Sequence, residues 1–274
     1  MRQTEDADGL PLKGGEMGIL EILLEAVYPS GIYCISCGSM IDSSRDYALC
    51  DRCLQRFHWV GEKTCAKCGK ILQENYRHEL CYDCRQYERN FDKGFTCVQY
   101  GLLERGVLMD YKYKGKSYIG QKLGDVLYDR MRLENVEPDL VVPVPMFRKN
   151  RNIRGYNQAQ VMAGRLAERS GTAFAPELLE RTRKTAPMKG LGALERYENL
   201  KNAFAVSSKN HYTIAGKRIL LVDDIFTTGS TLDACSLVLK EAGATETHNA
   251  SAASSMLTPK LSASSETCGS RPKL

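Results

Sequence analysis

The chain has 274 residues, of which 43% are hydrophobic and 26% charged, with a formal net charge of +5. That balance excludes a disordered polyelectrolyte and suits one or two globular domains with a real core. The charge is too small to argue for nucleic acid by itself, but it is uneven: residues 31–95 carry ten Lys/Arg against nine Asp/Glu, residues 105–155 eleven against six, and residues 181–201 six against two.

The first 17 residues read as disordered, and residues 18–30 as an amphipathic helix. In "GILEILLEAVY", Ile19, Ile22, Leu23 and Val27 fall at helical spacing, while Glu21 and Glu25 interrupt what would otherwise be a signal-peptide core. No stretch is long and apolar enough to predict a membrane span. Without a secretion signal the expected compartment is the cytoplasm. There eleven cysteines stay reduced, and their spacing points to metal before disulfides.

Residues 31–95 hold four CxxC pairs: Cys34 with Cys37, Cys50 with Cys53, Cys65 with Cys68, and Cys81 with Cys84. The first two pairs superpose on the last two after a shift of 31, and Gly38 and Gly69 superpose with them. Each pair places two thiolates about one turn apart, enough for half of a tetrahedral ion, so two knuckles must combine. The expectation is two structural zinc sites with four sulfurs each and no open position for catalysis. Four disulfides or a redox pair are the alternatives. Sequential pairing of the knuckles is favoured over cross-bracing. His58 and His78 read as surface residues, and Cys97, Cys235 and Cys268 as unligated thiols.

From residue 96 to 246 strands and helices alternate, which predicts an α/β domain with a mostly parallel sheet. Strands are expected at 95–100, 140–144, 203–206 and 218–222, and helices at 118–133, 156–170 and 230–242, with Gly243 as a stop. Ligands in such sheets bind at the carboxyl ends of the strands. At one such end stand Asp223 and Asp224, followed by Thr227, Thr228, Gly229, Ser230 and Thr231. Small residues, hydroxyls and a helix start make an anion cradle, and the absence of GxxxxGK[ST] excludes a Walker loop. Two carboxylates beside a phosphate cradle suit neighbouring hydroxyls, a cation, or both. A 5-phosphorylated ribose carrying magnesium pyrophosphate on C1 meets all these demands.

The stretch "ILLVDDIFTTGST" resembles the 5-phosphoribosyl-1-pyrophosphate (PRPP) motif of type I phosphoribosyltransferases. Residues 141–167 ("VVPVPMFRKNRNIRGYNQAQVMAGRLA"), residues 181–204 and the cysteine knuckles together resemble the ComF family. That resemblance spans roughly residues 19–243. It implies a cytoplasmic protein associated with DNA uptake in natural transformation. It gives Asp223 and Asp224 the ribose hydroxyls and the catalytic centre, the 227–231 loop the 5-phosphate, and Pro143, Val144 and Arg154 the neighbourhood of the pyrophosphate. It makes residues 181–204 a flap, with Arg183, Thr185, Arg196 and Asn199 matching the family pattern and Met188 departing from it. Arg148, Lys149, Arg151 and Arg154 read equally as a solvated basic loop. Residues 111–116 ("YKYKGK") read either as an exposed helix end or as a contact for single-stranded nucleic acid.

Three functions follow from the resemblance. The first is a transformation factor that binds PRPP with Mg2+ and single-stranded DNA, in contact with the DNA-uptake machinery. The second is a salvage phosphoribosyltransferase that joins a base to the ribose and releases pyrophosphate. The third is a PRPP sensor without chemistry. The family fold expects an apolar strand after Gly243. Residues 247–274 instead show no strand periodicity, so they are expected to be a disordered or aberrant tail, with a frameshift or a truncated reading of the gene as the leading explanation.

Overall fold

The structure is a computed structural model that describes residues 31–183, 200 and 202–254. The expected amphipathic helix at 18–30 and the flap residues Thr185, Arg196 and Asn199 lie outside the described residues, as do Cys268 and residues 255–274.

The cysteine-rich segment folds as two short modules. Each places its second knuckle at the start of a helix, α1 (Asp51–Arg56) and α2 (Tyr82–Gln86), with Cys50 and Cys81 as the N-caps. The second module is fastened to strand β1 (Lys93–Gln99). Gly94 N–H donates to Lys67 O, and Thr96 Oγ1 donates to Gly69 O. Gly69 has a φ of +69°, and a Cβ there would collide with the backbone of Phe95, so only glycine allows both the turn and the close approach. The linker between the modules covers the outer edge of β1: Trp59 bridges Val98, and Val60 N–H donates to Cys97 O.

The rest of the chain alternates as expected. After β1 come α3 (Leu102–Tyr113), α4 (Tyr118–Leu133), β2 (Leu140–Pro143), α5 (Arg148–Arg154), α6 (Gln158–Ser170) and β3 (Ala173–Phe174). They are followed by β4 (Leu179–Arg181), β5 (Phe204–Val206), β6 (Arg218–Phe226), α7 (Ser230–Glu241) and β7 (Glu246–Ser254). One sheet has the order β1-β7-β6-β2-β3, all parallel. β4 and β5 pair antiparallel as a separate hairpin. Helices α4 and α6 pack on one face of the sheet and α7 on the other, and β6 sits in the middle, with Leu220, Leu221 and Val222 fully buried.

Three elements correct the sequence reading. The first is β7. The sequence predicts a disordered tail from residue 247, yet residues 246–254 form a buried strand between β1 and β6. Small side chains, Ala250, Ala252 and Ala253 among them, hide it from any hydrophobic pattern. The second is α3, where Val107, Leu108 and Tyr111 bury one face at helical spacing. The third is α5, where the basic stretch is a short helix closed by Gly155 in the left-handed conformation, φ +82°.

Candidate functional site

The two cysteine sets are complete. Cys34, Cys37, Cys50 and Cys53 gather in one place, and Cys65, Cys68, Cys81 and Cys84 in another, with the four sulfurs of each set within 4.8 Å of one another. The first knuckle therefore pairs with the second and the third with the fourth, not cross-braced. Cys37 Sγ lies 3.8 Å from Cys50 Sγ, and Cys68 Sγ lies 3.7 Å from Cys81 Sγ. Tetrahedral zinc with bonds near 2.3 Å puts its sulfurs roughly 3.8 Å apart, so both sets fit the ion. His58 is held elsewhere, on the buried carboxylate of Glu104, and His78 meets Tyr76 edge-on. Cys97 and Cys235 are buried outside both sets, and burial raises each thiol's pKa.

The twin aspartates lie in the carboxyl-terminal half of β6, which runs two residues further to Phe226. Burial, with the charge of Asp224 alongside, pushes the Asp223 carboxyl up to about 7. The backbone N–H of Asp224 donates to Asp223 Oδ1 at 2.8 Å. Asp224 is matched instead by Lys112 from the last turn of α3, with Nζ 2.7 Å from Oδ2 and each side chain less than a fifth exposed.

The 227–231 loop leads into α7. Gly229 has a φ of +75°, and a Cβ on it would lie 2.6 Å from the ring of Phe226. As the N-cap it brings no capping side chain, so the first-turn N–H groups are left for an anion. Thr228 Oγ1 and Ser230 Oγ stand 3.0 Å apart, and the loop lines a small cleft that also includes Asp223 and Phe226. The second zinc module steadies α7: Asn90 N and Nδ2 donate to the buried Asp233 at 2.7 and 3.0 Å.

The opposite wall comes from β2 and the start of α6. Pro143 pairs in register with Val222, and Val144 N–H donates to Val222 O at 2.9 Å, which sets both beside the aspartates. Asn157 caps α6 and donates from Nδ2 to Val144 O at 3.0 Å, pinning the β2 exit. Arg154 lies 5.1 Å over the ring of Tyr113 and reaches Gln158 Oε1 at 3.3 Å. Asp223, Asp224, the 227–231 loop, Pro143 and Val144 thus form one neighbourhood, while Arg154 stands over Tyr113, the residue after Lys112. Arg183 is described and follows β4, at the mouth of the β4–β5 hairpin.

Two residues of this neighbourhood escaped the sequence reading. Lys112 looked like one of three lysines on a helix end, yet it is the partner of Asp224. Arg181, which burial makes less basic, ends β4, lies 5.4 Å over the ring of Phe204 and acts electrostatically on Asp223. The alternation of tyrosine and lysine in "YKYKGK" was the available signal for Lys112. Its helical phase puts Tyr111 in the core, where its hydroxyl donates to Gln158 O at 2.7 Å.

Two domain families match the chain. A double zinc ribbon domain family matches residues 23–85, and a phosphoribosyl transferase domain family matches residues 167–262. Competence protein F of Haemophilus influenzae is 30% identical over 219 residues, covering 78% of this chain and 93% of that protein. DNA utilization protein YhgH of Salmonella typhi is 35% identical over 187 residues, covering 66% and 80%. Among solved structures, the glutamine phosphoribosylpyrophosphate amidotransferase of B. subtilis is 22% identical. That match covers 52% of this chain but only 30% of the enzyme, with a TM-score of 0.36.

Proposed function

The chain belongs to the ComF family, and from that premise we propose that it binds PRPP with magnesium at the β6–α7 cleft and handles single-stranded DNA during DNA uptake in the cytoplasm. The observation that carries this reading is the convergence of two carboxylates, an uncapped glycine-hinged loop and the β2 exit at one end of the sheet. Asp223 and Asp224 offer acceptors to the ribose hydroxyls. The 227–231 loop offers N–H groups and hydroxyls to the 5-phosphate. Arg154 offers a planar fork to pyrophosphate oxygens. When bound, magnesium would neutralise charge on the pyrophosphate. Both zinc sites are closed four-thiolate sets, so their role is structural.

The DNA surface is assigned to the rim outside Arg154. Helix α5 carries Arg148, Arg151 and Arg154 with exposed Ile153, and the adjoining end of α3 exposes Tyr113 and Lys114. Cations interleaved with an aromatic ring suit a sequence-tolerant single strand. No helix among the described residues is long and apolar enough to cross a membrane.

Calorimetry with PRPP and magnesium, followed by a pyrophosphate-release assay across free bases, tests the reading. Binding without release is the expected result, and robust release with one base would move the assignment to a salvage transferase. For DNA, oligonucleotide anisotropy should weaken steeply as salt rises. Replacing Arg148 and Arg151 by Ala should lower both affinity and slope, and unchanged binding would remove α5 from the surface.

A further inference from the structure

Resting on the reading of the cleft as a sugar-phosphate site, we infer that Lys112 is a built-in counterion for the twin aspartates, which keeps free divalent metal out of the cleft and yields only to a ligand that brings both cation and phosphate.

The observation is one of placement. Lys112 Nζ stands 2.7 Å from Asp224 Oδ2, with both side chains largely enclosed. A cation on that carboxylate and the ammonium compete for the same oxygen. The ammonium is also one of the charges that acts on Asp223. It therefore neutralises part of a like-charged pair that would otherwise attract any divalent ion.

The backbone that delivers Lys112 is fixed through its neighbour Tyr111. Tyr111 is fully buried and donates to Gln158 O, while Tyr156 donates its hydroxyl to Tyr111 O. Gly120 has no side chain where the Tyr111 ring needs the space. On the other side, Tyr113 is exposed and carries Arg154 over its ring. With Tyr111 held in the core, the helical phase aims Lys112 at the aspartates. Its four-carbon stem is the flexible part.

A magnesium–diphosphate sugar changes the balance in two ways at once. Its cation takes over neutralisation of the carboxylates, and its phosphate oxygens give the displaced ammonium a new acceptor. Free magnesium offers only the first of these, and a metal-free phosphate only the second. Lys112 is thus a positioning residue that couples metal binding to sugar-phosphate binding.

The test uses the zinc-loaded full chain, titrated calorimetrically with MnCl2 alone and then with PRPP plus MgCl2. Lys112→Met should bind Mn2+ alone about tenfold more tightly than the parent protein, the scale of one lost close charge pair. Adding Asp224→Asn should abolish that gain. The same Lys112→Met protein should bind PRPP with magnesium about tenfold more weakly, and Lys112→Arg should restore both behaviours. Lys112→Gln serves as the second neutral variant if Lys112→Met does not fold. A residue that only supports the fold would lower thermal stability without changing Mn2+ affinity, and Mn2+ binding equal to the parent's would overturn the inference. Should PRPP fail to bind the parent protein, the sugar-phosphate reading falls, while the Mn2+ titrations still decide the role of Lys112.

Discussion

Strands β6 and β7 lie side by side in the sheet, in register from Arg218 opposite Glu246 to Phe226 opposite Ser254. Both have nine residues, and both are buried along most of their length. Their sequences have little else in common. β6 runs Ile219-Leu220-Leu221-Val222 into the aspartates, while β7 runs through threonine, asparagine, serine and alanine. Burial here follows position in the sheet, since β7 is enclosed by β1, β6 and the helices α4 and α7. The difference shows in the polar atoms. Thr247 Oγ1, both polar atoms of the Asn249 side chain, Ser251 Oγ and Ser254 Oγ are buried without a hydrogen-bond partner among the described residues. Each such group costs about 1–3 kcal/mol. β6 therefore contributes stability through its side chains, and β7 draws on that of its neighbours.

The largest test of this comparison is zinc removal. The second zinc module clamps β1, the other neighbour of β7, through Gly69 and Lys67. Structural zinc contributes roughly 10–16 kcal/mol of apparent binding energy. Stripping it with a strong chelator should unfold the cysteine modules and take β1 and β7 with them, seen as loss of amide protection over 93–99 and 246–254 in hydrogen exchange. Unchanged protection there would show that β7 stands without the module.

Point substitutions should then act with opposite signs on the two strands. Leu221→Ala in β6 removes a fully buried side chain and should cost about 2–5 kcal/mol. Asn249→Val in β7 replaces two unpartnered polar atoms by apolar ones and should stabilise by about 1–3 kcal/mol. Denaturant melts of both variants decide the matter, and a destabilising Asn249→Val would contradict the account of β7.

The last test is pH. Asp223 has its carboxyl raised to about 7 by burial and by Asp224, against about 3.9 in an unfolded chain. For a carboxyl raised on folding, stability is fullest below pH 4 and declines as pH climbs towards 7. Asp223→Asn should flatten that decline. The affinity for a magnesium-borne ligand should rise over the same window, because the ionised form is the ligand. A pH-independent affinity between 6 and 8 would remove the raised carboxyl from the binding site.

Much of this was legible before the structure. The four knuckles announced two zinc sets because thiolate spacing is local. β6 and the aspartates were legible because a buried parallel strand must be apolar until it reaches its ligand. What stayed hidden depends on contacts distant in sequence. β7 has no periodicity of its own, and only its neighbours bury it. Lys112 and Asp224 are brought together by the clamp on Tyr111, which no spacing reveals. Arg181 acts on Asp223 from β4, which belongs to the separate two-stranded sheet.

The most direct test of the central claim is calorimetry of PRPP with magnesium against the parent protein and the double variant Asp223→Asn with Asp224→Asn. The parent should bind, and the double variant, folded and zinc-loaded, should show no measurable binding. Equal affinity in the two proteins would contradict the assignment of the twin aspartates.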